Sequence, residues 1–414
     1  MIVLSGAELV LPDRILTPGT LAIENGRIVD IRPGGAQGRL PGGHAPSHFA
    51  FHGHYIVPGF IDVHVHGVDG FDALDGEGPV REIAAHLPRY GVTAFCPTTV
   101  ACTPEALRAV LDQVRSAREA PDPRSARVLP AHLESNFINP DLRGAQPLQC
   151  LRIPRAALDS DGRAGGAGRA GGAGGDQEFP ASDILREIER AAPDVGIVTI
   201  APELDGGLDL VRWILARGPR VSLGHSNATY EEALAAIAAG ARHATHLFNR
   251  MPPLGHRAPG LAGAVLQADE IAAELICDGF HVHPAMMRMA IAAKGASRML
   301  AITDGTAASG LPVGRRARLG GHAITAGESA AFLDDGTLAG SVLTMDRAFQ
   351  KLVGEIGLSP VDAVMLCATT PARELGLVGH GVLAPDAVAD VVVLDAQFSV
   401  VQTYIAGQLA YSRS

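Results

Sequence analysis

Eight apolar runs of strand length, separated by helix-like stretches, constrain this chain more than any other feature. In order they are FIDVHVH, VTAFCPTTV, ARVLPAHLE, GIVTIAPEL, RVSLGHS, HATHLFN, AELICDGFH and MLAITDG. Amphipathic segments such as TPEALRAVLDQVRSA and TYEEALAAIAAGA fall between several of them. Strands that alternate with helices pair in parallel, because each helix carries the chain back to start the next strand in the same direction. Eight such units predict an α/β fold, a closed (β/α)8 TIM barrel. A barrel takes about 250 residues, which leaves room in a chain of 414 for one further module.

The two ends supply that module. Residues 1–57 show short alternating runs, AELVL, GTLAIENGRIVDI and HGHYIV, between Gly and Pro turns, and residues 380–414 repeat the texture in ADVVVLDAQFSVVQTYIAGQLAY. Neither piece alone has strands enough to protect both faces of a sheet, so the two are expected to pair into a small β-sandwich, with residues 58–379 forming the barrel. Residues 159–177, DSDGRAGGAGRAGGAGGDQ, lack large apolar side chains and read as a flexible Gly-rich insertion without chemistry.

Bulk properties remove several classes of function. A formal net charge of -10 argues against a nucleic-acid partner, since phosphate-backbone binding rests on clustered Lys and Arg. The five cysteines (Cys96, Cys102, Cys150, Cys277, Cys367) form no CxxC pair and read as buried small hydrophobes, not as disulfides or thiolate ligands. MIVLSGAELVLPDR lacks the basic start and long apolar run of a secretion signal, and no stretch has the length of a membrane span, so a cytoplasmic location without a membrane partner is expected.

Metal-capable residues sit at the carboxyl ends of the predicted barrel strands, where barrel active sites are built. His64 and His66 end the first, Glu134 the third, His225 the fifth, His246 the sixth and Asp304 the eighth, while His281 follows the seventh. Residues two apart in a strand face the same side, so His64 and His66 both point inward. Two histidines in a buried strand are commonly packing residues; the other strand-end ligands turn that reading toward a metal. Glu134, His225 and His246 form a carboxylate and imidazole set that holds zinc or iron and leaves a position open for water. A metal there lowers the pKa of water to roughly 7 and polarises a carbonyl, so attack on an amide becomes feasible. Asp304, in AITDGT, is placed to take the water's proton and return it to the leaving nitrogen, although an Asp-Gly pair is also a common turn.

Together PGFIDVHVHG, HLES with FINP, APEL, LGHSNATYEEALAAIAAGA, THLFNRMPPLGHRAPGLAGA, CDGFHVHP, ITDG, LAGSVLTM and ADVVVLD resemble the N-acetylglucosamine-6-phosphate deacetylases of the amidohydrolase superfamily, over nearly the whole chain. The resemblance implies removal of the acetyl group from the 2-amino position of a sugar 6-phosphate. It implies Glu134, His225 and His246 as metal ligands and Asp304 as the catalytic aspartate. Some members carry an HxH after the first strand, so His64 and His66 imply a second divalent ion beside the first. Asn249 and Arg250 match a substrate-contacting pair, Arg257 a phosphate-binding arginine and His281 a sugar contact. Leu338, Ala339 and Gly340 match a loop closing over the substrate, and Ala145 and Gln146 also fall among the substrate contacts. A homodimer is implied, with Arg257 reaching across.

Two departures stand out. Ser135 and Asn136 replace a usual Gly-Pro, and Gln146 replaces a histidine that hydrogen-bonds the substrate carbonyl. A neutral amide donates a hydrogen bond but brings no imidazolium charge. The alternatives are therefore a deacetylase for another N-acyl amino sugar, an epimer or one without phosphate, or an inactive barrel with a binding role. Cyclic-amide hydrolases of the superfamily usually carry a lysine after the fourth strand, and GIVTIAPEL has none.

Overall fold

A computed structural model describes residues 1–34, 47–76, 78–159 and 179–413; apart from Asp159, the Gly-rich segment 159–177 lies outside the described residues. Each of the eight apolar runs gives the barrel one strand: Phe60–Val65, Val92–Thr99, Ala131–Glu134, Val195–Ile200, Arg220–Leu223, His243–Ala244, Ala272–Ile276 and Met299–Ile302; the third run also holds the short Arg127–Val128, paired with the second strand. They pair in parallel in chain order. The ring closes between the last strand and the first. The Asp304 N–H donates to His64 O at 3.0 Å and the His66 N–H to Gly305 O at 2.8 Å. Just inside this seam the Thr303 hydroxyl donates to Asp62 Oδ2 at 2.6 Å, and burial pushes the Asp62 carboxyl up to about 7.

The helices that cover the barrel follow from their own sequences. In Pro104–Glu119 the side chains of Leu107, Val110, Leu111 and Val114 recur at helical spacing and all are buried. Each contributes roughly 1.5–3 kcal/mol by leaving water. Thr103 starts this helix by accepting the Ala106 N–H. Tyr230–Ala238 begins with a reciprocal box in which Thr229 and Glu232 cap one another's backbone N–H groups.

Strands from both ends of the chain share one eight-stranded sheet. Ile2–Val10, Ile15–Glu24 and Arg27–Pro33 run antiparallel in sequence. Tyr55–Pro58 lies beside Ile2–Val10 and pairs on its other edge with Val391–Leu394, which continues to Val400–Ile405 and Gln408–Ser412. Alternation decides what each face covers. Ile56, Val391 and Val393 enter a small core with Leu4, Leu21 and Tyr404, whereas Val57, Val392 and Leu394 join the barrel's core. The sheet is thereby packed onto the barrel by every second residue.

One unit was not anticipated. After the eighth strand, Arg316–Leu319, His322–Ala326, Ala330–Leu333 and Leu338–Ser341 form a four-stranded antiparallel sheet. Its turn signals were present in Gly320-Gly321, both at positive φ, and in Asp335-Gly336. The runs between them are only four or five residues long and half exposed, which hides their period. Leu319, Ile324 and Ala339 seat the sheet on Val100 and Ala308. Its last strand reaches the barrel rim, where the Ser341 N–H donates to Asp304 O at 2.9 Å. All five cysteines are buried and free, and no helix among the described residues is long and apolar enough to cross a membrane.

Candidate active site

The chain leaves the fifth, sixth and eighth strands through residues in the left-handed region: His225 at φ 47°, His246 at 30° and Asp304 at 49°. Such a conformation is uncommon outside glycine and costs on the order of 1 kcal/mol, and residues that carry it cluster at functional sites. The three side chains meet above the barrel axis. Glu134 Oε1 lies 2.8 Å from Nε2 of both His225 and His246, whose Nε2 atoms are 3.1 Å apart. His64 and His66 bring their own Nε2 atoms to 3.3 Å, with Asp304 Oδ1 at 3.4 and 3.3 Å from them. His66 Nε2 is 3.6 Å from Glu134 Oε2. All six side chains are buried.

Nitrogen lone pairs facing one another at this separation repel unless a proton or a cation lies between them. Two groups, His64–His66–Glu134 and Glu134–His225–His246, each place three ligand atoms close enough to share an ion, and Glu134 belongs to both. Imidazole and carboxylate donors suit zinc or iron. Leu142 O accepts from His225 Nδ1 at 2.8 Å, which leaves Nε2 of that ring as the ligand atom. Burial pushes the Glu134 carboxyl up, but His225 and His246 outweigh it and hold it well below the usual carboxylate range. Asp304 is lowered in the same way, against burial, by His66 and His64.

A second polar layer lies beneath. Glu274, fully buried on the seventh strand, accepts from His64 Nδ1 at 2.9 Å, from His243 Nε2 at 2.9 Å and from the His246 backbone N–H at 3.1 Å. His132 bridges Val63 O at 3.0 Å and the Thr199 hydroxyl at 2.8 Å, and burial pushes its imidazole down to about 3. Thr199, Thr245 and Ser222 continue the chain of hydroxyls. Sequence reasoning missed Glu274, His132 and His243. The available signal was a lone glutamate inside an apolar strand, AAELIC, since a buried carboxylate must be paired.

Around the mouth the same pocket is lined by Ala145, Gln146, Asn249, Arg250, His281, Leu338 and Gly340, together with His66, Glu134, His225, His246 and Asp304. Ala339 is buried behind them in the core of the small sheet. His281 Nδ1 is pinned to Asp278 Oδ2 at 2.5 Å. Gln146 is turned to the ligand carboxylate: its carbonyl accepts the Ala101 N–H at 2.7 Å and its amide donates to Glu134 Oε2. Ser135 and Asn136 are spent on the scaffold, Ser135 donating to Thr199 O and Asn136 to Cys102 O and Cys150 O. Arg257 is exposed and does not line the pocket. Arg143, not singled out from the sequence, does line it. Among the described residues its guanidinium donates to Pro140 O, and that of Arg250 lies so close over Gly144 that a Cβ there would come within 2.6 Å of Nε. Neither arginine has a carboxylate partner among the described residues.

The amidohydrolase family model matches residues 195–410. The chain is 34% identical over 357 residues to the N-acetylgalactosamine-6-phosphate deacetylase of Escherichia coli O157:H7, covering 86% of this chain and 87% of that protein. It is 34% identical over 427 residues to the human N-acetylglucosamine-6-phosphate deacetylase, covering 99% and 94%. A Mycobacterium smegmatis N-acetyl-D-glucosamine-6-phosphate deacetylase mutant, solved in complex with N-acetyl-D-glucosamine-6-phosphate, superposes with a TM-score of 0.83 at 29% identity, covering 99% of each chain.

Proposed function

The chain belongs to the amidohydrolase family and, within it, to the N-acetylglucosamine-6-phosphate deacetylases, and on that premise we propose that it hydrolyses N-acetylglucosamine 6-phosphate to glucosamine 6-phosphate and acetate. The observation that carries the reading is Glu134, one carboxylate shared by two imidazole pairs at the mouth of the barrel, with Asp304 beside them. Zinc or iron held by Glu134, His225 and His246, with a second ion at His64 and His66, would polarise the acetyl carbonyl and make water acidic enough to ionise near neutral pH.

The remaining steps fall to the chain's own groups. Asp304 starts ionised, takes a proton from the attacking water and delivers it to the sugar nitrogen as the C–N bond breaks. Asp278 holds one nitrogen of His281, so the other is free to meet a sugar hydroxyl. Arg143 and Arg250, without acidic partners, hold the phosphate by charge-assisted hydrogen bonds. Gln146 orients Glu134, and its amide serves the ligand carboxylate in place of the substrate carbonyl. Arg257 is free to reach the pocket of a second copy in a homodimer, which a mass measurement in solution tests. We place the enzyme in the cytoplasm, where phosphorylated sugars are held.

The test is acetate release from N-acetylglucosamine 6-phosphate by zinc- or iron-loaded protein, abolished in Asp304→Asn. No release from any phosphorylated or free N-acetyl hexosamine would overturn the proposal. The match to the E. coli protein favours one second reading, the galactosamine epimer, and the ratio of kcat/KM for the two 6-phosphates decides between them.

A further inference from the structure

Glu274 lies one layer below the reacting groups, and it is the only carboxylate on the described part of the seventh strand. A charge buried to this depth is held only by strong partners. Three hydrogen-bond it, the His64 ring, the His243 ring and the backbone N–H of His246, and His132 Nδ1 stands 3.6 Å from its Oε1. The first has a consequence for coordination. A carboxylate can only accept, so the His64 nitrogen facing it, Nδ1, carries the hydrogen. In the neutral ring the lone pair then sits on Nε2, the atom directed at His66, Glu134 and Asp304. The carboxylate fixes both the tautomer and the plane of the ring.

His64, His132 and Glu274 also place one ligand atom each close enough to share an ion. That alternative is disfavoured because both nitrogens of His132 are engaged, one with Val63 O and the other with Thr199. The lower group is a hydrogen-bonded support.

We propose that Glu274 is the positioning residue for His64, and that the ion site at His64 and His66 exists only while Glu274 holds that ring. The proposal rests on the metal reading above. Loss of such a support typically weakens metal binding ten- to a hundredfold.

The experiment strips wild type, Glu274→Gln, His64→Asn and the double variant with a chelator, reloads them with zinc and measures equivalents bound and affinity for each. Circular dichroism reports the fold. Wild type is expected to take up two equivalents; Glu274→Gln and His64→Asn are each expected to lose the weaker one, or to bind it at least tenfold less tightly, and to keep the other at Glu134, His225 and His246. In the His64→Asn background, Glu274→Gln should leave the remaining equivalent unchanged, which a generally loosened barrel would not. Two undiminished equivalents in Glu274→Gln overturn the proposal, and so does a single equivalent in wild type. Protein that binds zinc as expected yet releases no acetate sinks the hydrolase reading and leaves this one standing.

Discussion

The floor of the pocket and its rim are built on different terms. On the floor, His225 and His246 hold Glu134 and Glu274 holds His64, each at hydrogen-bonding distance, and these groups are almost sealed from solvent. On the rim, Arg143, Arg250 and Asn249 come from loops, are half exposed, and leave polar groups facing open space. The contrast separates two tasks. To hold an ion, His64 and His225 have their second ring nitrogen fixed by protein, while Nδ1 of His66 and of His246 is buried without a hydrogen-bond partner among the described residues; a group that must bind and release a sugar phosphate needs bonds to spare at the mouth.

Substitutions put that contrast to the test, and the floor should give the largest response. Asp304→Asn, which keeps the shape and removes the base, is expected to lower kcat by about a thousandfold or more with folding unchanged, measured as acetate release. On the rim, replacing Arg143 and Arg250 together by Ala should raise KM for the phosphorylated sugar by roughly a hundredfold, at about 1.5 kcal/mol for each lost charged hydrogen bond. The same change should leave the poor activity on the unphosphorylated sugar where it was; an equal loss on both would assign the arginines to scaffold.

The layer under the floor should answer to pH instead. His132 sits at about 3 in the folded protein, below the value near 6.5 of an unfolded histidine, so the unfolded chain binds the extra proton in that window. Its contribution is therefore complete above pH 6.5 and is lost as pH falls toward 3. Between pH 7 and pH 5 this is worth about 2 kcal/mol. Denaturant titrations at the two pH values should show His132→Gln losing less stability on acidification than wild type. Smallest of the four, Gln146→Met should weaken metal binding about tenfold, as a lost partner of Glu134, with fold intact.

The barrel and the metal-capable residues at its strand ends were legible for the same reason, whereas Glu274, His132 and His243 beneath them were not. Parallel strands buried on both faces read as continuous apolar runs, and a histidine or carboxylate at the end of such a run stands out. The rim was less legible because loop residues have no period: Arg143 lies in a turn next to Gly144, where nothing in DLRGAQ distinguishes a pocket arginine from a solvated one. Gln146 was found by position, yet its partner, Glu134, depends on a fold that brings residues twelve apart into contact. The small sheet escaped because four-residue strands show too few alternations to count.

The left-handed backbone at His225, His246 and Asp304 bears on the history of the chain. A glycine would carry this backbone without the cost of about 1 kcal/mol, but it would also strip a buried, hydrogen-bonded side chain from the cluster. That the sequence still carries two imidazoles and a carboxylate at three uncomfortable points argues that their chemistry is in use, and counts against a barrel that has retired to binding alone.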